Sequence, residues 1–420
     1  ALSFTSVPLI DVLGPSASAN GGINPLSLVV VTAIAFFAPA AVLSAVSPLV
    51  VKARLDDLDE TGRIVGRLSA IGTAGAIVGT FVTGFVLVAN FPTRPTVFVV
   101  GGGLVLLGVG LAITERRTRA SLPLILAVAA VSATTGVLIG SPCEYESPYF
   151  CATIQADPDR ETGRILRLDT LRHSYVDLAD PTYLDFSYAQ TLEDVLAVEF
   201  PEPGPVTAVH IGGGGFTFPR YLRATRPGTR STVLELDPLL VDLATDELGF
   251  EPGPDIEVLT GDARLTLRLL PDDEADLIIG DAFGGVSVPW HLATAEFVEL
   301  VRDKLRPGGV YALNMIDYGP RDFARAEMTT LAAGFDHVAA FAPPPRFGPR
   351  ESNVGGNFVL VASDRPIDVA GILAHNAAGG DDETAVSSDD GSLQSFVADA
   401  AVLTDDDAPV DQLLTPLPTG

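Results

Sequence analysis

The sequence predicts two parts of unlike fold: an α-helical transmembrane region over residues 1–140, then an α/β part built on a doubly wound, mainly parallel sheet. Three observations carry this. Four apolar stretches follow one another before residue 140, short apolar strands alternate with helical patterns after residue 204, and glycine- and acid-bearing loops stand at the ends of those strands.

At 420 residues the chain is long enough for more than one domain. Its 53 acidic residues against 26 lysines and arginines give a formal charge of −27, with few acids in the first 140 residues. Such an excess repels phosphate and argues against nucleic acid as a partner. Lys52 and Lys304 are the only lysines, Asp outnumbers Glu, and Ala, Val and Thr are abundant. That composition is expected of a halophilic protein, whose dense carboxylates keep its surface hydrated.

The first part is read from Leu26–Val50, Leu68–Ala89, Val97–Ile113 and Leu122–Ile139. Each is close to or above the ~18–20 residues that span a hydrocarbon core as helix, so a multi-pass location in the cell membrane, with the lipid bilayer as partner, is expected. Pro39 and Pro48 can kink the first stretch, and Gly75 and Gly79 form a GxxxG spacing at which helix backbones touch. No acidic or basic side chain lies within the four stretches, which argues against transport. Basic residues cluster in the first loop (Lys52, Arg54, Arg63, Arg67) and the third (Arg116, Arg117, Arg119), which places Gly140 on the outer face. The chain opens on Ala1 rather than Met and lacks the pattern of a cleavable signal, so earlier spans are expected to be missing.

Residues 141–203 form the second region, a small β-hairpin subdomain with strands at Tyr149–Gln155 and Arg164–Leu168. Cys143 and Cys151 are either two buried thiols or a disulfide. A straight strand between them would hold their Cα atoms ~26 Å apart, beyond the ~7 Å limit, so pairing requires a bend at Pro148.

After the linker Pro201–Pro205, the third region, residues 204–375, alternates strands at Thr207–Ile211, Ser231–Leu234, Ile256–Leu259, Asp276–Ile279 and Val310–Asn314 with helices between them. Ligands of such sheets bind at the carboxyl ends of the strands. Gly212, Gly214 and Gly215 follow the first strand, where absent side chains let a nucleoside approach the backbone. Glu235 ends the second strand, placed to take both ribose hydroxyls. Asp262-Ala263 follows the third, where Asp262 either accepts from an adenine amino group or caps the next helix. Asp281 ends the fourth. A nicotinamide-binding sheet supplies a glycine turn and an acid ~20 residues on, but does not ask for the acids after strands three and four. The set fits the Rossmann-like fold of class I methyltransferases and their aminopropyl-transferring relatives. His173, His210, His337 and His375 show no ligand spacing, and no metal site is expected.

Together these motifs resemble the spermidine synthase family, most closely a membrane-fused branch in which truncated major-facilitator-like helices precede the synthase-like domain. Ser47 to Lys52, Gly62 to Gly66, Ile211 to Leu222, Asp281-Ala282-Phe283, Val288 to Phe297 and Leu403 to Val410 carry the resemblance. It implies a polyamine biosynthesis transferase using S-adenosylmethionine or its decarboxylated form and a small-molecule amine. By the resemblance Asp281 is expected to serve as base and Glu235 and Asp262 to hold the nucleoside; Tyr188 is expected on the substrate side, and Trp290 and His291 either form part of the acceptor pocket or simply pack. The diamine side departs from the family: soluble members carry an acid where Gly215 stands and a second acid where Gly284 stands, and their Tyr-His-Glu is Tyr188-Ala189-Gln190 here. Two alternatives remain open: a methyltransferase acting on a small or lipid-like acceptor, and a non-catalytic nucleoside-binding membrane sensor or transport accessory. Assembly as a homo-oligomer also stays open. The fourth region, residues 376–420, is an acidic tail whose segment Ala377 to Ser392 is expected to be mobile.

Overall fold

The computed structural model of the chain describes residues 25–54, 61–114, a few positions between 123 and 134, and 143–415. They divide into two compact units between Ala152 and Thr153.

The first unit holds helices α1 (Pro25–Ser44), α2 (Val46–Arg54), α3 (Thr61–Val88) and α4 (Thr93–Thr114). α3, at 28 residues, and α4, at 22, are long and apolar enough to cross a membrane. Their apolar side chains point outward: Phe81, Phe85, Val99 and Leu106 are all exposed. A Cβ added at Gly75 or Gly79 would meet nothing within 4 Å, so among the described residues no helix packs on that stripe. The fourth apolar stretch of the sequence lies largely outside the described residues. The unit ends in a short hairpin, where β1 (Tyr145–Glu146) pairs with the start of β2 (Cys151–Ala156). Ser147 Oγ accepts from the amides of Tyr149 and Phe150, both at 3.0 Å, and closes the turn. That bend brings Cys143 and Cys151 to a Cα separation of 5.1 Å, where they form a disulfide.

In the second unit, β3 (Gly163–Leu168) and β4 (Leu171–Asp177) form an antiparallel hairpin followed by α5 (Ser187–Glu199). The main sheet follows, with β5 (Thr207–Ile211), β6 (Arg230–Glu235), β7 (Ile256–Thr260), β8 (Ala275–Gly280) and β9 (Leu305–Asp317) parallel to one another. Their helices are α6 (Thr217–Thr225), α7 (Pro238–Glu247), α8 (Ala263–Leu267) and α9 (Ala295–Lys304). After α10 (Asp322–Gly334) the sheet turns antiparallel through β10 (His337–Ala342) and β11 (Gly356–Ser363). With β12 (Thr384–Ser387) at one edge, the strand order is β12-β10-β11-β9-β8-β5-β6-β7.

Both faces of the sheet are covered, which explains why its strands read as unbroken apolar runs. On β8, Ile278 packs into one core with Phe297, Val301 and Phe323, while its neighbours Leu277 and Ile279 pack into another with Leu192, Val195, Phe218 and Leu222. Each buried aromatic or aliphatic side chain of this kind contributes about 1.5–3 kcal/mol of burial free energy.

The expected mobile tail is corrected by the structure. Residues 369–397 form α11 (Val369–Gly379), strand β12 (Thr384–Ser387) and α12 (Ser392–Val397). β12 pairs antiparallel with β10, and Leu393 and Phe396 are buried in the core. The acids that suggested disorder have partners: Glu383 accepts from Thr191 Oγ1 at 2.6 Å and from Asn376 Nδ2 at 2.9 Å. Further on, Asp405 takes a bidentate pair of bonds from Arg264, each 2.7 Å.

Candidate active site

The parallel half of the sheet ends in loops that the backbone stitches side by side. Asp281 N–H donates to Ile211 O at 2.8 Å, Gly212 N–H to Leu234 O at 2.9 Å, and Gly261 N–H to Glu235 O at 2.8 Å. The tips of β8, β5, β6 and β7 therefore lie in that spatial order, and the side chains at each tip share one rim.

Gly212 sits at the closest approach. Its φ is +97°, and a Cβ there would stand 2.4 Å from the carbonyl oxygen of Asp281. Gly215 is constrained as well: a Cβ would meet Ser174 Cβ at 3.0 Å and Val176 Cγ1 at 3.2 Å. A side chain at this position, such as the acid that soluble members of the family carry, would crowd β4.

Glu235 is buried and faces the glycine turn. One carboxylate oxygen accepts from the amides of Gly213 at 2.8 Å and Gly214 at 3.2 Å, the other from that of Asp237 at 2.9 Å. Burial raises its pKa, and the three amide bonds oppose the rise. Asp237 is the cap of α7, accepting from Leu239 N–H at 3.0 Å. Asp262 caps α8 through Leu265 N–H at 3.0 Å, and its second oxygen meets His291 Nε2 at 2.8 Å. Ala263 is buried at the first position of that helix.

Asp281 is the centre of a second network. Tyr188 Oη donates to one of its carboxylate oxygens at 3.0 Å, and Asn314 Nδ2 to the other at 2.8 Å. Asn357 Nδ2 donates in turn to Asn314 Oδ1 at 2.9 Å. Enclosure by protein pushes the Asp281 carboxyl up to about 6, and the bonds from Asn314 and Tyr188 hold it from rising further. Tyr188 is raised well above its usual range by burial and by the Asp281 charge, so it stays a neutral donor.

Two cavities meet at Asp281, one of about 40 Å³ reaching under the glycine turn and one of about 120 Å³ reaching across to β9 and β11. Tyr188, Gly213 and Asp281 line both. The structure thus joins Gly212, Gly214, Tyr188 and Asp281 directly. Glu235 supports the turn from below, and Asp262 stands further along the rim. Trp290 and His291, expected on the acceptor side, are placed elsewhere. Trp290 is 51% exposed and His291 is held by Asp262, at the opposite end from β9.

The residues missed from sequence are Asn314, Asn357 and His173. Asn314 interrupts an apolar run at the end of β9, and a buried amide in such a run was the available signal. Asn357 and His173 are half-buried, come from β11 and β4, and carry no comparable mark. Away from the site, Glu193, Asp194 and His375 gather within 4.8 Å. His375 Nδ1 bonds to Asp194 at 2.7 Å, which accounts for the group as an ion pair.

No protein-family model matches the chain. It is 34% identical over 131 residues to a probable polyamine aminopropyl transferase of Bifidobacterium longum, covering 31% of this chain and 29% of that protein. It is 33% identical over 150 residues to a polyamine aminopropyltransferase of Vibrio vulnificus, covering 35% of this chain and 50% of the relative. The chain therefore spans half or less of the length of these two relatives. Among solved structures, a probable spermidine synthase from Corynebacterium glutamicum superposes with a TM-score of 0.57 at 26% identity, covering 62% of this chain and 95% of that one. The sheet and its decoration are thus Rossmann-like and spermidine synthase-like, and the matched relatives are transferases.

Proposed function

We propose that this chain, similar in sequence and fold to the polyamine aminopropyltransferases, is a transferase that moves a carbon group from an adenosyl sulfonium to an amine. The observation that carries this is the stitched row of strand tips, which aligns Asp262, Glu235, the glycine turn and Asp281 on one rim in a single order. The adenine end of the donor, S-adenosylmethionine or its decarboxylated form, is assigned to Asp262-Ala263 and the ribose to Glu235. Glu235 holds the Gly213 and Gly214 amides in place while its oxygens keep further lone pairs for hydroxyl groups.

The chemistry follows from Asp281. The amine nitrogen attacks the carbon bonded to sulfur, that carbon–sulfur bond breaks, and its electron pair leaves on a neutral thioether. For this the nitrogen needs a free lone pair, which the Asp281 carboxylate provides by taking a proton from the ammonium form of the amine. Asn314 and Tyr188 fix both carboxylate oxygens, so the group is oriented before substrate arrives.

Two finer readings belong to the same proposal. The diamine site is degenerate, supported by the crowding at Gly215 and by Gly284, which supplies no side chain. The protein is membrane-attached, supported by the length and outward apolar faces of α3 and α4. Calorimetry of the full chain in high salt with the two sulfonium nucleosides tests the central reading: at least one binds, and no heat with either removes it.

A further inference from the structure

Resting on the proposed transfer reaction, we infer that the acceptor is a monoamine with an apolar body, a class set by the single carboxylate and the apolar walls of the larger cavity. Strand order separates the two ends of that cavity. At one end stand Gly213 and Gly214 of the turn after β5, whereas Asn314, Ile316 and Asn357 come from β9 and β11 on the other side of Asp281. The donor occupies the first side, which leaves the β9 and β11 side to the acceptor.

Along that side the side-chain pattern is decisive. β9 turns Asn314 and Ile316 toward the cavity, while Met315 packs into the core. Asp317, the one acid at that strand end, accepts from the amides of Tyr318 at 2.8 Å and Ala324 at 2.9 Å and does not line the cavity. Leu171, Phe186, Phe283 and the His173 ring line it as well, with Ser174 and Tyr188 as uncharged polar side chains. His173 stands edge-on to Phe283 at 6.5 Å, and burial pushes it down to about 4, so near neutral pH it adds no charge.

Among the described residues lining this cavity Asp281 is the only carboxylate, and the one other formal charge is the cation Arg172. Asp185, in the smaller cavity, is already bound to Arg172 at 2.6 Å. A first ammonium finds Asp281. A second, at the far end of a diamine, finds amides, aromatic rings and a guanidinium, and loses its hydration without an anion to offset the loss. An alkyl or aryl terminus in the same place loses nothing polar and buries against Phe186, Phe283 and Ile316.

The transfer balances as for any amine. One proton passes from the bound ammonium to Asp281 and frees the nitrogen lone pair, which forms the new carbon–nitrogen bond while the carbon–sulfur pair leaves with sulfur.

Pentylamine and putrescine test this cleanly, because they have the same chain length and differ only in a terminal methyl against a second ammonium. Thioether nucleoside release by the full chain is followed with each amine and each sulfonium donor. Pentylamine is expected to show a kcat/KM at least roughly tenfold above that of putrescine. The reverse order overturns the inference, as does donor binding without release in the presence of either amine. Absence of donor binding instead removes the transfer reading itself.

Discussion

Asp281→Asn is expected to lower turnover by roughly 10²–10⁴-fold while leaving donor affinity within about twofold. The substitution keeps the shape of the group and removes its ability to take a proton. Asn314 and Tyr188 both donate to the carboxylate, so an amide at that position turns one of its own donors toward a donor and loosens the network on one side. The pH dependence separates this from a merely structural defect. Because enclosure raises the Asp281 carboxyl to about 6, the base is ionised above that value and neutral below it. In the native protein kcat/KM therefore falls as pH drops through about 6, by roughly tenfold per unit further down. In Asp281→Asn the residual rate is flat over the same range. A variant that keeps the acid limb would show that another group takes the proton.

Gly212→Ala carries the second large effect. A residue with a Cβ at φ +97° costs about 1–3 kcal/mol in backbone strain, and the added carbon meets the Asp281 carbonyl oxygen at 2.4 Å. A Cβ has no rotamer and the atom it meets is backbone, so no side-chain rotation relieves the contact. The turn must lift away from the tip of β8, which moves the donor floor relative to the base. Displacements of about 1 Å in such a site cost on the order of 10²-fold. Donor affinity and kcat/KM are both expected to fall by about that factor, with a thermal midpoint lower by a few degrees. Gly204→Ala is the control: a Cβ there meets nothing within 4 Å, and both quantities should stay unchanged. Equal losses in the two variants would contradict the close approach assigned to Gly212.

Much of the parallel half of the second unit was legible in the sequence because its signals are local. β5 and the start of β7 stand where the apolar runs place them, and the acids and glycines at the strand tips are covalently next to those runs. Asp262 caps a helix, one of the two readings that its place after the third strand allows. The antiparallel half was harder to read. β10, β11 and β12 come after a long stretch without motifs, and β12 is a four-residue edge strand within an acidic segment whose charge imitates disorder. Its stability comes from long-range partners, with Ala339 opposite Ser387 and Asn376 reaching Asp194 at 2.8 Å, and no local pattern announces such pairs.

The candidate site divides along the same line. The donor side lies on consecutive loops of one sheet edge and is written in order along the chain. The acceptor side draws on β4 and α5 and, far along the chain, on β9 and β11, so Asn314, Asn357 and His173 come together only on folding. Trp290 and His291 follow Asp281 closely in sequence yet line neither of the cavities that meet at it. The 3-10 turn over Trp290–Leu292 carries His291 to Asp262 and leaves Trp290 exposed.

The most direct test of the account is mass analysis of the products formed by the full chain from a mixture of sulfonium donor and amine. The account predicts release of a thioether nucleoside together with an amine that has gained the donor's transferred group, an aminopropyl group from decarboxylated S-adenosylmethionine. A methyl adduct from S-adenosylmethionine alone would reassign the reaction to methyl transfer. Donor that binds and is recovered intact, with every amine unchanged, would contradict catalysis and leave a nucleoside-binding protein.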